Sequence, residues 1–125
     1  MHISMYLNQN NFDEAIAELT RSIELKNDLY DTQYGLGAAY INKAADMFLK
    51  ANDIMDVNEY TQAVEAANSV YAKALPYMEK ALELKPDDVY ALRSLQELYY
   101  RLRQKDPSLN AKYEQTRARL SELEQ

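Results

Sequence analysis

Cysteine and tryptophan are absent from this 125-residue chain, which has one histidine, two glycines and three prolines. Without cysteine there are no disulfides and no thiolate metal sites, an absence compatible with oxidising and reducing compartments alike. The single histidine, His2, lies at a terminus where fraying is the rule, so neither an imidazole base nor a histidine metal cluster can be assembled. Two glycines cannot supply a phosphate-cradling loop, and no Gly-x-Ser-x-Gly elbow is present. No apolar run reaches the length of a membrane span and no signal peptide is visible. A cytoplasmic location is the default expectation, with a periplasmic one left open if a leader has been removed.

What remains favours helix. Alanine, leucine, glutamate, lysine and glutamine are abundant while the helix breakers are scarce. A hydrophobic fraction of 47% is too high for a disordered chain, and the length suits one domain with one continuous core. The net charge of −6 is unevenly placed: residues 1–88 hold 7 Lys/Arg against 15 Asp/Glu, whereas residues 89–125 hold 7 against 5. An acidic chain is a poor binder of nucleic acid, because phosphate neutralisation drives that affinity. The basic end suits either an acidic partner or plain solvation.

In chain order, Ile3, Met5, Tyr6 and Leu7 give about two turns of helix over 2–8, and Asn8 to Asn11 reads as a turn. Asn11 with Glu14 forms a capping-box signal for a helix to about Lys26 that buries Phe12, Ala15, Ile16, Leu19, Ser22 and Ile23. Asp28 or Tyr30 opens a longer helix, with Leu36, Tyr40, Ala44, Met47, Phe48 and Ala51 on one stripe. Residues 52–55 turn, and Asp56 with Glu59 forms a second capping box. Helical spacing then runs unbroken from Tyr60 through Ala67, Tyr71, Ala74 and Met78 to Leu82. Pro76 interrupts the ladder inside it, giving either a kink or a break; the stripe keeps phase across it, which favours the kink. Lys85-Pro86-Asp87-Asp88 stops this helix, and either aspartate can cap the next. Leu92, Leu95, Leu98, Tyr99 and Leu102 continue the pattern, and Asp106-Pro107 starts a last helix bearing Leu109, Tyr113, Leu120 and Leu123. The carboxylate pairs Asp13/Glu14 and Asp87/Asp88 suit helix N-termini, whose dipole favours negative charge. The alternating oxygen ligands and glycine of a calcium loop are missing.

The stretch Ala74 to Leu102 resembles the tetratricopeptide repeat family, whose motif runs W-x2-L-G-x2-Y, then A-x3-F, then A and P. Ala74-x3-Met78, Ala81 and Pro86 match the second half, and Leu36-Gly37-x2-Tyr40 the first, with Gln33 in the tryptophan slot. Leu95-x3-Tyr99 repeats the first half, with Leu92 in the tryptophan slot and Gln96 for glycine; Ala15-x3-Leu19 with Ser22 repeats the second, with Asn27 for proline. Ala15 to Ala74 and Leu36 to Leu95 are both 59 residues apart. Against a family period of about 34 residues, about 25 are inserted. Two capped stripes indicate that the insertion lengthens both arms of the middle hairpin, a long loop being the alternative. The resemblance, to a bacterial-type member with an elongated middle hairpin, implies an all-α array of antiparallel helical hairpins, about two and a half repeats long. Residues 1–29 would be a partial first repeat, 30–88 a second carrying the insertion, and 89–125 a third repeat with its closing helix. It also explains Gly37, by close approach of the paired helix.

In the family the first helix of each hairpin lines a concave groove that receives a peptide or partner helix. Carried over by motif, that face is Asp31, Tyr34, Ala38, Ile41 and Asn42, then Tyr90, Arg93, Glu97, Tyr100 and Arg101. Exposed tyrosine and arginine are common interface anchors, while Tyr40, Tyr71 and Tyr99 lie on core stripes. Tyr34, Gly35 and Ala38 replace the Lys, Asn and Arg cluster of members that hold a chaperone's C-terminal carboxylate, which argues against that role. The expected function is a non-catalytic protein–protein interaction module that uses no cofactor, does not bind nucleic acid and has no membrane span. The alternative is an assembly subunit, or a fragment of a longer repeat protein, that associates with a second copy through residues 1–27.

Overall fold

The structure, a computed structural model, describes residues 11–125. The expected helix end at 2–8 lies outside the described residues, as does the turn after it except for Asn11. Five helices follow one another: α1 (Phe12–Leu25), α2 (Tyr30–Ala51), α3 (Val57–Leu84), α4 (Val89–Leu102) and α5 (Leu109–Leu123). Each packs on its successor. The packing is antiparallel, as short connections require: Gly37 faces Met78, Tyr40 stacks on Tyr77 and Phe48 lies against Tyr71, so α3 descends as α2 rises. This is an all-α array of helical hairpins.

Local chemistry sets most of the boundaries. Asp56 and Asp88 have extended backbones and accept from the N–H groups of Glu59 and Ala91 at 2.9 and 3.2 Å, each satisfying one orphan donor of its helix. Asp88 is therefore the cap of α4, and Asp87 is left to pair with Arg119 of α5. Asn11 departs from the expected capping box. Its backbone is already helical (φ −87°, ψ −4°) and its side chain makes no cap bond to α1. Only an extended cap residue can swing its side chain back over the first turn. The last helix also begins later than expected, at Leu109 and not at Pro107. Asp106 accepts from the backbone N–H and hydroxyl of Ser108 at 3.2 and 2.6 Å, and two i to i+3 bonds close a tight turn before α5 begins. Pro76 neither breaks nor ends α3. Both Pro76 and Ala72, whose carbonyl loses its i+4 donor, are exposed, so water takes the free acceptor.

The core forms two clusters joined through the α2–α3 seam. One gathers Ala44, Tyr71, Ala74, Met78, Leu95, Leu98 and Tyr99; the other, smaller, gathers Ala15, Leu19, Leu36 and Ala39. Small residues let α2 and α3 approach closely, most tightly at Gly37, where an added Cβ would lie 3.3 Å from the Met78 backbone nitrogen. Three polar residues are also buried, Thr32, Gln33 and Thr116. Gln33 donates to the Asn27 carbonyl and Thr116 to that of Lys112, both at 2.7 Å, so neither is left without a partner.

The long helices reach further than their neighbours. At 22 and 28 residues, α2 and α3 exceed α1, α4 and α5, which have 14 or 15. The Lys105–Glu65 pair (3.9 Å) marks where the end of α4 meets α3. Val57 to Val64 lie beyond it, a projection of roughly 12 Å at the helical rise.

Candidate functional site

The residues expected to line a groove divide among several settings. Arg93, Glu97 and Tyr100 come together on α4 and, with Gln96 and Tyr113 of α5, border a shallow depression of about 160 Å³. Asp31 lies elsewhere, at the rim of a larger hollow of about 580 Å³ between α1 and the start of α2, with Leu19, Ser22, Leu25 and Thr32. Tyr34 and Ile41 pack against the larger core cluster, and Ala38 and Asn42 are half-buried beside them. Tyr90 stands exposed in the first turn of α4.

Tyrosine and arginine side chains around the depression are held in fixed poses. The Tyr100 and Tyr113 rings meet at 5.7 Å, and the Arg103 guanidinium lies 4.6 and 4.5 Å from their centroids. Its Nη1 also donates to Asn110 at 3.1 Å. Arg103 was not among the expected site residues, although it stands three positions after Tyr100 as the C-cap of the same helix, a spacing that brings side chains together. Arg93 pairs with Glu124 beyond α5, and Arg101 with Glu97 at 3.1 Å. Exposed pairs of this kind are worth about 0–1 kcal/mol, so an incoming carboxylate can exchange with Glu124 at little cost.

Arg101 has a second, structural task. Its guanidinium lies 4.8 Å from the Tyr71 centroid and 5.6 Å from that of Phe48, joining α4 to both long helices by cation–π contact. Tyr34 is likewise tied inward, stacking on Tyr30 at 5.6 Å. The Tyr30 hydroxyl donates to Asp88, the cap of α4, and Lys85 lies 4.2 Å over its ring. These contacts fix the start of α2 against the α3–α4 turn.

Behind the face, Tyr99 is buried and donates to Glu79 across 2.5 Å, with Lys112 Nζ 3.4 Å from the same carboxylate oxygen. Burial pushes the Tyr99 phenol well above its ordinary value, and the hydrogen bond to Glu79 and the charge of that carboxylate add to the shift. Tyr71 and Tyr40 are raised as well, burial again being the largest cause. Among the described residues, no group of three or more His, Cys, Asp or Glu side chains is placed to hold a metal ion. No described helix is long and apolar enough to cross a membrane.

The antiparallel hairpins define a helical-repeat protein. A family model described as Tetratricopeptide repeat matches residues 4–29 and 71–88, that is α1 with the residues before it, and the second half of α3 with the turn after it. These two stretches of the chain are similar to tetratricopeptide repeats. No curated protein and no solved structure matches the chain. Repeats of this family are in general protein–protein interaction modules.

Proposed function

We propose that the chain binds an extended or helical protein segment along the face of α2 and α4 on which Tyr34, Ala38, Ile41, Asn42, Tyr90, Arg93, Glu97, Tyr100 and Arg101 lie, without catalysis. The observation that carries this reading is the depression bordered by Arg93, Glu97, Tyr100 and Tyr113. Its aromatic wall is partly exposed yet already ordered by Arg103. A preordered tyrosine and an arginine with an exchangeable partner are the ingredients of an interface hot spot, because little side-chain freedom remains to be lost on binding. The mixed lining suits a segment that presents a polar or acidic side chain to Arg93 beside an apolar one for Tyr100.

The test is photo-crosslinking from a benzoyl-phenylalanine placed at position 90, in the cell that makes the protein, followed by purification of the adduct. Tyr100→Ala with Arg93→Ala is expected to remove the adduct while the circular dichroism melt shifts little, since neither side chain is buried. An adduct that persists in the folded double variant would move the binding face away from α4.

A second reading, assembly through a second copy, is favoured by the region of α1 and the start of α2. There Leu25 and Leu29 are exposed beside the hollow bounded by Leu19, Leu25 and Asp31.

A further inference from the structure

The tip of the long hairpin carries a concentration of exposed apolar side chains that the packing does not use. Leu49, Met55, Val57 and Tyr60 are 68, 95, 75 and 41% exposed, and all fall within residues 49–60. Scattered exposed leucines need no explanation, but four large apolar groups on one projection do. A two-helix projection has a single seam to fill, and here buried Ala51 with half-buried Ile54, Ala63 and Val64 fill it. Leu49 stands two positions from Ala51, about 200° round the helix from the seam. Val57 and Tyr60 sit one turn apart at the start of α3, beyond the reach of α4.

The charge at the tip is of one sign. Asp46, Asp53, Asp56, Glu59 and Glu65 are accompanied between residues 46 and 65 by one cation, Lys50, which Asp46 already holds at 2.9 Å. Asp53, Asp56 and Glu59, all exposed, therefore stand among the apolar side chains of residues 49–60 without a nearby cation. Like charges disfavour tip-to-tip pairing of two copies, and the acidic groups repel an anionic lipid surface. Both features fit one occupant. We infer that the hairpin tip is a second docking surface, separate from the α2–α4 face, for a basic amphipathic protein segment whose apolar side chains meet Met55, Val57 and Leu49 while its Lys or Arg residues face Asp53 and Glu59.

The probe is a fluorescent 14-residue peptide of leucine and lysine patterned as an amphipathic helix, with a leucine–glutamate peptide of the same pattern as control. Anisotropy titrations with the full chain at low and moderate salt should show binding of the lysine peptide only, weakening as salt rises. Met55→Ser with Val57→Ser should reduce affinity at least roughly tenfold, and Asp53→Asn with Glu59→Gln should abolish the salt dependence. Both variants should keep the wild-type dichroism spectrum, because every substituted group is exposed. Tyr100→Ala with Arg93→Ala should leave the titration unchanged, which separates this surface from the face on α4. Wild-type affinity in the tip variants would overturn the inference, as would equal binding of the glutamate peptide. Tip-dependent binding to phosphatidylserine vesicles, or a change of sedimentation in the tip variants, would replace the proposed occupant by a membrane or a second copy and would overturn it too.

Discussion

Gly37 lies so close to Met78 that a β-carbon built on it would fall 2.9 Å from the methionine Cε and 3.3 Å from its backbone nitrogen. A methionine end can swing away where there is room, but Met78 is fully buried and the backbone behind it belongs to α3. Alanine would gain about 1 kcal/mol in helix propensity over glycine. Overpacking of a filled seam costs about 1–3 kcal/mol. Gly37→Ala is therefore expected to destabilise the chain in urea unfolding, and to cost less when introduced into a Met78→Ala background than into the wild type. A more stable single variant would show that the seam yields.

The hydrogen bond from Tyr99 to Glu79 makes stability depend on pH at the alkaline end. The phenol is raised above its ordinary value of 10.0 in the folded chain, by burial first and by Glu79 second. A raised folded value means that the contribution is complete below the unfolded value, near pH 10, and is lost as pH climbs from there towards the folded value. Tyr71 and Tyr40 are shifted in the same direction and act in the same window. Urea midpoints measured from pH 8 to pH 11 should fall steeply above about pH 10 and less steeply for Tyr99→Phe. An identical slope in the variant would remove Tyr99 from the linkage.

Helix existence was legible throughout, because apolar spacing of 3.6 residues continues from Phe12 to Leu123. Boundaries were legible where an aspartate has room for an extended backbone, as at Asp56 and Asp88, and not where the chain enters the helix already turned, as at Asn11. Gly37 announced a close approach, and the structure puts Met78 there. Buried Thr116 was illegible, since pattern reasoning sends hydroxyls outward; its bond to the Lys112 carbonyl within the same helix is what makes burial inexpensive. The site was legible as a set of residue types but not as a shape. Whether Asp31 and Tyr100 share a hollow depends on how α1, α2, α4 and α5 cross, and Arg93 and Arg101 each reach partners far away in sequence, at Glu124 and at Phe48 and Tyr71.

Removing the projection tests how much of the array depends on it. Residues 45–51 and 57–68 are helical and only 52–56 turn, so deleting 45–68 and joining Ala44 to Ser69 by a short turn takes out 19 helical residues. The shortened chain should fold, with that much less helix by circular dichroism. It should also melt lower, because Phe48 is removed from against Tyr71. Unchanged helical content would show the segment to be non-helical in solution.

Among the described residues, α1 and the turn after it carry an apolar surface of their own. Leu25 is 86% exposed in the last turn of α1, Leu29 is exposed just before α2, and the hollow between them and Leu19 and Thr32 is about 580 Å³. Glu18 and Arg21 border the same hollow and make no ion pair among the described residues. In a two-fold dimer, Glu18 of one copy would meet Arg21 of the other and the reverse, and Leu25 would enter the facing hollow; such self-complementarity is what a two-fold interface requires. Sedimentation equilibrium over a wide concentration range is expected to show a monomer–dimer equilibrium that Leu25→Asp abolishes, with the dichroism melt unaltered because the side chain is exposed. Glu18→Arg and Arg21→Glu should each weaken the dimer, and the double exchange should restore it if the pairs form across the axis. A wild-type chain that stays monomeric at the highest concentration would show that this face closes the array unaided.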